Sequence, residues 1–315
     1  MTTTVIQPRG RFSLAESIDF GFGPQQAHPG EPVMRMAFTV DGYASQAAVA
    51  VRQEQVDGPV EVEVLGDADP EVVTAQVARV LSLDVDATGW DDLGARDDLI
   101  HRLQAARPGL RPPLFHSAYE AAAWAVLSAR RPARQMAILR ERLSSVHGAT
   151  FEVAGELTSD RRDRRTTEFL YAFPTPDQLL AVREFDGLPL VKLQRLHVVA
   201  RAAAEGRLDT ATLRATDPAE VDAQLRELDG IGPFYAMLVT VRALGLTDLL
   251  PAGEPLVLEV LGELLDRGGP VTPAEFAELA APWSPWRTWA GVFIRSAGPR
   301  LLPPDSEVGR RSTSR

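Results

Sequence analysis

Several common features are missing from the 315-residue chain, and each absence excludes a class of protein. There is no cysteine, so the chain can form no disulfide, no cysteine-held iron–sulfur cluster and no thiolate zinc site. The longest apolar stretches fall well short of the ~20 residues that a membrane-spanning helix needs. The first residues lack the apolar run of a signal peptide. We therefore expect a cytoplasmic protein of about two domains with no membrane partner.

Basic residues are also outnumbered by acidic ones: the chain has 33 Lys and Arg but 43 Asp and Glu, for a net charge of -10. An acidic protein is a poor first candidate for nucleic-acid binding. However, binding depends on where the charges lie, and the basic residues are clustered. The clusters are Arg130, Arg131 and Arg134, the stretch 161–165, and Arg310, Arg311 and Arg315. The charge balance therefore leaves DNA binding open.

The first 90 residues carry the strand signals of the chain. Residues 34–40 and 60–64 are rich in β-branched and apolar side chains, and the second run alternates with period two. Aspartate–glycine pairs at 41–42 and 57–58 are strong hairpin signals beside such runs. A set of valines at helical spacing follows. We predict a small antiparallel α+β domain over residues 1–90, with one helix covering a face of its sheet.

Beyond residue 90 the strand signal disappears and helical patterns follow one another, separated by proline and glycine. Examples are the stretches 118–127, 136–143 and 193–204. We predict an all-α domain of eight to ten helices over residues 91–302, judged by typical helix and loop lengths. The polar tail 303–315 is predicted to be disordered. The fold class is thus α+β, a small sheet domain followed by an all-α domain.

Residues 225–245 contain the segment that points most directly to a function. Leu228 closes one apolar helix, Gly230 and Gly232 make a tight turn, and a second apolar helix begins near Ala236. Two glycines let the backbone bend sharply and approach another molecule. Amides at the start of the second helix then face outwards, an arrangement that binds phosphate without reading base sequence. The turn alone is equally typical of an ordinary corner between two helices.

The wider context makes this segment specific. LDGIGPFYA at 228–236 resembles the hairpin of the helix-hairpin-helix DNA glycosylases, LPGIGPWTA. Downstream, DLLPAGE at 248–254 resembles the family's D-x-F-P-x-x-D, and WSPWRTWA at 283–290 resembles W-x-P-W-R-x-x-A. Further landmarks occur in family order at 108–112, 118–127, 173–176 and 187–192. Over roughly residues 10–300, the chain resembles this superfamily, and within it the 3-methyladenine DNA glycosylase II type.

The resemblance implies a monomeric enzyme of base-excision repair that binds double-stranded DNA carrying alkylated bases. Such an enzyme flips an alkylated purine out of the duplex and hydrolyses its N-glycosidic bond. The family's catalytic aspartate is replaced by Glu254, whose carboxylate would stabilise the positive charge that develops on the sugar. The extra methylene shifts this carboxylate, and a shift of about 1 Å costs ~100-fold in rate. A solvated loop residue is the other interpretation of Glu254, and Asp248 is the fallback carboxylate.

The resemblance also assigns the DNA-binding residues. The hairpin residues Gly230, Ile231 and Gly232 would bind a phosphate of the duplex. Arg130 and Arg131 stand where the family places the wedge that fills the vacated base stack, although two neighbouring arginines are also typical of a solvated patch.

Three aromatic residues are the candidates for the base pocket, namely Phe234, Trp286 and Tyr119. A cationic alkylpurine stacks on such rings with roughly 0.5–2 kcal/mol, whereas core packing is the competing explanation for Tyr119. Bifunctional relatives carry a lysine at the position of Phe234, so we expect hydrolysis alone and DNA contact from this ring. The scattered histidines form no metal-ligand spacing, so no cofactor is expected to be required. A structural monovalent cation, held by the carbonyls of Leu228 and Ile231, is implied by the resemblance only.

Three hypotheses remain after the sequence is considered. The leading one is the monofunctional glycosylase with Glu254 as catalytic residue. The second is a catalytically silent protein that binds damaged or distorted duplex, which the replaced aspartate and Arg130 favour. The third is a helical scaffold that no longer binds DNA, which the net charge of -10 favours.

Overall fold

The N-terminal part of the chain forms a four-stranded antiparallel sheet. The computed structural model describes residues 2–21, 23, 25–26, 32–155, 166–250, 253–303, 306 and 308. Its first sheet has the order β1-β4-β3-β2, with β1 (Thr2–Ile6), β2 (Val33–Thr39), β3 (Gln46–Arg52) and β4 (Val60–Leu65). The aspartate–glycine turn at 41–42 joins β2 to β3, as predicted. The edge strand β1 was not predicted, because its pairing partner β4 lies far along the chain.

Two helices accompany the sheet, α1 (Leu14–Phe20) and α2 (Pro70–Val80). The helix α2 begins at Pro70, and the side chain of Asp69 caps it by accepting a hydrogen bond from the Glu71 amide at 2.9 Å. The predicted valines, Val73 and Val77, are fully buried against the sheet. The seven residues of α1 were missed, since so short a helix shows little periodicity.

The remainder of the chain is mostly helical, which confirms the α+β class. The helices of the described residues from 88 onwards are α3 (Thr88–Gly94), α4 (Asp98–Ala106), α5 (Ala118–Ser128), α6 (Ala133–His147), α7 (Pro176–Ala181), α8 (Leu190–Ala204), α9 (Thr210–Ala215), α10 (Pro218–Arg226), α11 (Pro233–Ala243), α12 (Pro255–Leu264), α13 (Pro273–Ala280) and α14 (Arg287–Leu301). This exceeds the predicted eight to ten helices, because several have only six or seven residues. No helix in the described ranges is long and apolar enough to cross a membrane.

The predicted all-α region contains a second sheet, which corrects that part of the prediction. The strands β5 (Thr150–Gly155) and β6 (Thr166–Tyr171) pair in antiparallel fashion. Leu170 of β6 packs with Ala37 of β2, so this hairpin extends the apolar contacts of the N-terminal sheet. The residues between the two strands, including the basic stretch 161–165, lie outside the described residues.

The helices enclose two apolar cores. One lies among α5, α6, α8 and α11, and the other joins α3 and α4 to the C-terminal helices α12–α14. Trp90 of α3 packs on Phe293 of α14 with the ring centroids 4.9 Å apart. The predicted domain boundary at 90/91 falls inside α3, which packs into the C-terminal core.

The predicted disordered tail lies mostly outside the described residues. Val308 is described and is buried in the C-terminal core, where its amide donates to Glu263 Oε1 at 3.1 Å. This residue is therefore part of the folded structure, whereas Arg310, Arg311 and Arg315 are outside the description.

A buried carboxylate joins the N-terminal sheet to the helices. Glu120, at the start of α5, accepts hydrogen bonds from the Thr39 amide at 3.0 Å and from Arg140 Nη2 at 2.5 Å, and it lies 3.2 Å from His116 Nδ1. Burial by itself would raise the pKa of this carboxyl, but the charge and hydrogen bond of His116, the charge of Arg140 and the Thr39 amide hold the pKa below 4.5. Both carboxylate oxygens are thus paired inside the protein.

Glu120→Gln is expected to lower the free energy of unfolding at neutral pH by about 3 kcal/mol, because it leaves the buried Arg140 charge unpaired. The native pKa of Glu120 is depressed, so its stabilisation is complete above the unfolded value of about 4.3 and is lost as the pH falls through the native pKa. Urea unfolding at several pH values measures both effects. A variant that loses stability in acid as steeply as the wild type would contradict this role.

Candidate functional site

The predicted hairpin is present between α10 and α11, and its two glycines have different structural roles. Gly230 has a φ of +96°, and a Cβ on it would lie 2.8 Å from Arg195 Cδ. The Ile231 amide closes the turn by donating to the Leu228 carbonyl at 3.0 Å, with the Ile231 side chain buried. A Cβ on Gly232, in contrast, would meet nothing within 4 Å. The fold therefore needs a glycine at 230, whereas Gly232 leaves open space on the outer face.

The first turn of α11 presents both amides and an apolar side chain to the exterior. Gly232 is the N-cap of α11 and Pro233 is its first residue, so the amides of Phe234 and Tyr235 lie at the open end of the helix. The Phe234 side chain is 67% exposed. Tyr235 is held in place by the Ser128 hydroxyl, which donates to its Oη at 3.2 Å. This geometry suits an anion at the helix start with an apolar contact beside it.

The predicted wedge lies in the turn between α5 and α6. Arg130 is exposed and has a φ of +56°, and Arg131 follows it at the surface. A residue without a predicted role, Lys192, holds this turn: its Nζ donates to the carbonyls of Val126 at 3.0 Å, Leu127 at 2.5 Å and Ala129 at 3.0 Å. These are the unpaired carbonyls at the end of α5. The motif GLPLVK contained this lysine, but its partners are 63 to 66 residues away.

The wedge and the hairpin share a basic environment. The pKa of Lys192 lies below its usual value of 10.5, first because of burial and then because of the positive charges of Arg131 and Arg195. Arg195 lies beside the hairpin, where its Nε is 3.2 Å from an Asp229 carboxylate oxygen. We call the hairpin together with Arg130, Arg131, Lys192 and Arg195 the basic surface. Its local charge is positive although the net charge of the chain is -10.

Glu254 is the N-cap of α12, next to Pro255 at the first helical position. Its Oε2 accepts a hydrogen bond from the Val257 amide at 2.7 Å. Its Oε1 lies 3.6 Å from Nε of Arg295, a residue of α14, and the Glu254 side chain is 27% exposed. The carboxylate is therefore fixed at a helix start and remains accessible. The preceding residues 251–252 lie outside the described ranges.

Asp248, the other carboxylate of this loop, has a structural role. It accepts hydrogen bonds from Arg287 Nε at 2.7 Å, Arg287 Nη2 at 2.9 Å and the Ser284 hydroxyl at 2.9 Å. Burial raises the pKa of this carboxyl, but these hydrogen bonds and the Arg287 charge bring it below 3.8. Asp248 therefore ties the loop that leads to Glu254 onto the start of α14.

Two of the three predicted pocket aromatics are packed in the apolar cores of the protein. Trp286 is 6% exposed, with its ring centroid 4.9 Å from that of Trp289 and 6.3 Å from that of Trp90. Tyr119 is fully buried, and its hydroxyl donates to the Pro174 carbonyl at 3.0 Å. The motifs locate both rings along the chain, but the direction of a side chain depends on packing between helices.

The structure contains a half-open cavity of about 730 Å³ that the sequence did not reveal. It lies between the N-terminal sheet, the segment after α1 and the helices α5 and α6. Its lining includes Gly21, Phe115, Trp124, Arg134 and Tyr171. These residues come from five separate segments, so no local pattern could have predicted them.

No group of three or more His, Cys, Asp or Glu side chains that could hold a metal occurs among the described residues. At the hairpin, the Leu228 carbonyl already accepts the Ile231 amide. A carbonyl oxygen has a second lone pair, so the Leu228 oxygen keeps a second acceptor position.

Comparisons with known proteins agree with this geometry. No family model matches the chain. The chain is 29% identical over 200 residues to the DNA-3-methyladenine glycosylase 2 of Escherichia coli. The match covers 61% of this chain and 62% of the relative, so the chain spans less than two thirds of the relative's length. It is 21% identical over 243 residues to the DNA-3-methyladenine glycosylase of Bacillus subtilis, covering 74% and 76% of the two chains.

The fold is similar to a solved structure, the 3-methyladenine DNA glycosylase of Archaeoglobus fulgidus. The TM-score is 0.73 at 20% identity, over 94% of this chain and 98% of the other. The hairpin, the ordered motifs around it, the sequence relatives and this fold all agree. The chain is thus similar in sequence to DNA-3-methyladenine glycosylases, and it shares its fold with a solved 3-methyladenine DNA glycosylase.

Proposed function

We propose that the protein is a monofunctional DNA glycosylase that removes alkylated purines from double-stranded DNA in base-excision repair. One observation carries the proposal: an open, glycine-lined helix start on a basic surface is followed, at the start of the next helix, by the accessible carboxylate of Glu254. A phosphate clamp and a fixed negative charge are the two parts that glycosidic hydrolysis on DNA requires. The names of the relatives in Escherichia coli and Bacillus subtilis support the same activity.

In this proposal the basic surface holds the duplex and the wedge opens it. The amides at the start of α11 bind one backbone phosphate, and Arg130 enters the stack that the flipped nucleotide leaves. The contact of Phe234 with the DNA backbone or bases is apolar. A monovalent cation, if bound by the carbonyls of Leu228 and Ile231, would add positive charge at the phosphate. All these groups belong to one chain, so a monomer is sufficient.

The chemistry breaks the bond between C1′ of the sugar and N9 of the purine. The electron pair leaves with the base, and positive charge develops on the sugar, where the Glu254 carboxylate stabilises it. A water molecule then supplies hydroxide to C1′, and its remaining proton passes to solvent, because an N3- or N7-alkylated purine leaves as a neutral base. Phe234 stands where a lysine would form a Schiff base, so the strand is left intact with an abasic site.

Glu254→Gln is expected to reduce base release by at least about 100-fold, because the stabilising charge is lost. Glutamine still offers an oxygen to the Val257 amide, so the cap of α12 and DNA binding should persist. The measurement is chromatography of free base released from methylated duplex. Asp248→Asn is the matched control, since it should lower the thermal midpoint while the folded fraction stays active.

The result also separates the two main hypotheses. An unchanged rate for Glu254→Gln would remove this residue from the mechanism. If the wild type releases no base but binds damaged duplex in a salt-sensitive way, the protein is a silent DNA-binding member of the superfamily.

The hairpin is tested by a pair of glycine variants. Gly232→Ala should keep the stability within about 1 kcal/mol, because its new Cβ meets no atom within 4 Å, yet it should weaken DNA binding by blocking the phosphate. Gly230→Ala should instead destabilise the fold by about 1–2 kcal/mol, owing to its positive φ and the contact with Arg195. Thermal unfolding and mobility shifts at two salt concentrations measure these effects. Wild-type affinity of Gly232→Ala would show that the phosphate binds elsewhere.

A further inference from the structure

Lys192 is the only lysine of the chain, and every other basic side chain apart from the histidines is an arginine. It closes the motif GLPLVK at 187–192, which has no part in the proposed chemistry. Its half-buried ammonium donates to three carbonyls at one helix end, those of Val126, Leu127 and Ala129. A compact ammonium can direct three N–H groups at converging oxygens, whereas a guanidinium holds its donors in one plane. The geometry at this position therefore suits lysine better than arginine.

These three carbonyls are the ones that backbone amides leave open at the end of α5. The Ala125 carbonyl accepts the Ala129 amide at 3.1 Å, and the Ser128 carbonyl accepts the Arg131 amide at 3.0 Å. Lys192 serves the other three. An ammonium has three N–H groups, so all of its donors are used inside the protein and none is left for a DNA phosphate. Lys192 therefore acts on the turn and not on the DNA.

The bond to Ala129 bears directly on Arg130. Arg130 has a φ of +56°, a left-handed conformation that residues other than glycine rarely adopt. Such a conformation persists only where the surrounding structure holds it. The Ala129 carbonyl belongs to the planar peptide group that joins residues 129 and 130, so fixing this oxygen fixes the orientation of that plane. Lys192 thereby sets the direction in which Arg130 leaves the turn.

The helix that carries Lys192 also contacts the hairpin. Arg195 lies three residues further along α8, on the same side of the helix. Its Cδ lies where a Cβ on Gly230 would be only 2.8 Å away. One side of α8 thus contacts both the wedge turn and the hairpin, and it fixes the distance between them.

We propose that Lys192 is a positioning residue, which holds the turn between α5 and α6 so that Arg130 can enter the base stack when a nucleotide is flipped out. This inference rests on the proposed function, in which Arg130 is the wedge. Without the ammonium, the turn adopts other conformations and Arg130 is less often aligned with the stack. A paired nucleotide is costly to flip, whereas an unpaired one is not. The loss of Lys192 should therefore affect paired lesions selectively.

The test compares two duplexes that carry 7-methylguanine, either paired with cytosine or placed in a single-nucleotide bulge. Single-turnover rates of base release are measured for the wild type, Lys192→Met, Arg130→Ala and the double variant. Lys192→Met should slow release from the paired duplex about tenfold and release from the bulge by less than about twofold. In the Arg130→Ala background, Lys192→Met should cause little further loss, because the two residues act through one wedge.

Two further variants separate the geometry of Lys192 from its charge and from its contribution to stability. Lys192→Arg keeps the charge but not the three converging donors, so it should also slow release from the paired duplex. Arg300→Met is the matched control, since Arg300 Nη1 likewise donates to a carbonyl at a helix end, that of Ala106 in α4, at 3.0 Å. Arg300→Met should lower the thermal midpoint without changing the ratio of the two rates. The salt dependence of DNA binding should be the same for Lys192→Met and the wild type, because no phosphate contact is lost.

The outcomes separate this inference from the proposed function. Equal slowing on both duplexes, additive losses in the double variant, a wild-type rate for Lys192→Arg or a weaker salt dependence of Lys192→Met overturns the positioning role and leaves the glycosylase function standing. If Lys192→Met does not fold, Lys192→Arg, alone and combined with Arg130→Ala, decides. If the wild type releases no base, the proposed function fails. The fluorescence of 2-aminopurine beside an abasic site then reports entry of the wedge, and an unchanged signal in Lys192→Arg overturns the role of Lys192.

Discussion

The arrangement of the molecule depends on the requirement that the buried carboxylate of Glu120 be paired. The Thr39 amide at the end of β2, His116 in the segment before α5, and Arg140 of α6 surround it. A buried charge without such partners would be strongly destabilising. The set therefore fixes α5 against both the sheet and α6. Because α5 ends at the wedge turn and packs on α11, the same constraint determines how the wedge turn and the hairpin lie relative to each other.

The positions of the charges, rather than their sum, give this acidic chain a locally positive surface. Lys192 donates hydrogen bonds to the carbonyls at the end of α5 and places a positive charge next to Arg131 and Arg195. A similar arrangement occurs at Glu254, which caps α12 and also faces Arg295. In both places one side chain stabilises a helix end and also changes the electrostatic potential at the surface.

The candidate site was predictable to different degrees. The hairpin glycines follow from local backbone geometry, and Gly230 does have the positive φ that a tight turn requires. Glu254 could be located by its distance along the chain from the hairpin. The burial of Trp286 and Tyr119 could not be predicted, because a motif gives the position of a ring but not the side of the helix on which it packs. No sequence motif pointed to Arg295, because its guanidinium comes close to the Glu254 carboxylate only when α12 and α14 pack together.

By itself, the sequence determined the α+β class, the β2–β3 hairpin, most of the longer helices and the turn at 230–232. These features depend on interactions between residues close in the chain, such as turn geometry, capping and apolar periodicity. Only the tertiary structure decided that β1 pairs with β4, that β5 and β6 form a second sheet, and that α3 joins the C-terminal core. It also decided which charges meet at Glu254. The physical reason is that such contacts join segments far apart in sequence, and their free energy comes from burial and charge pairing that no local pattern contains.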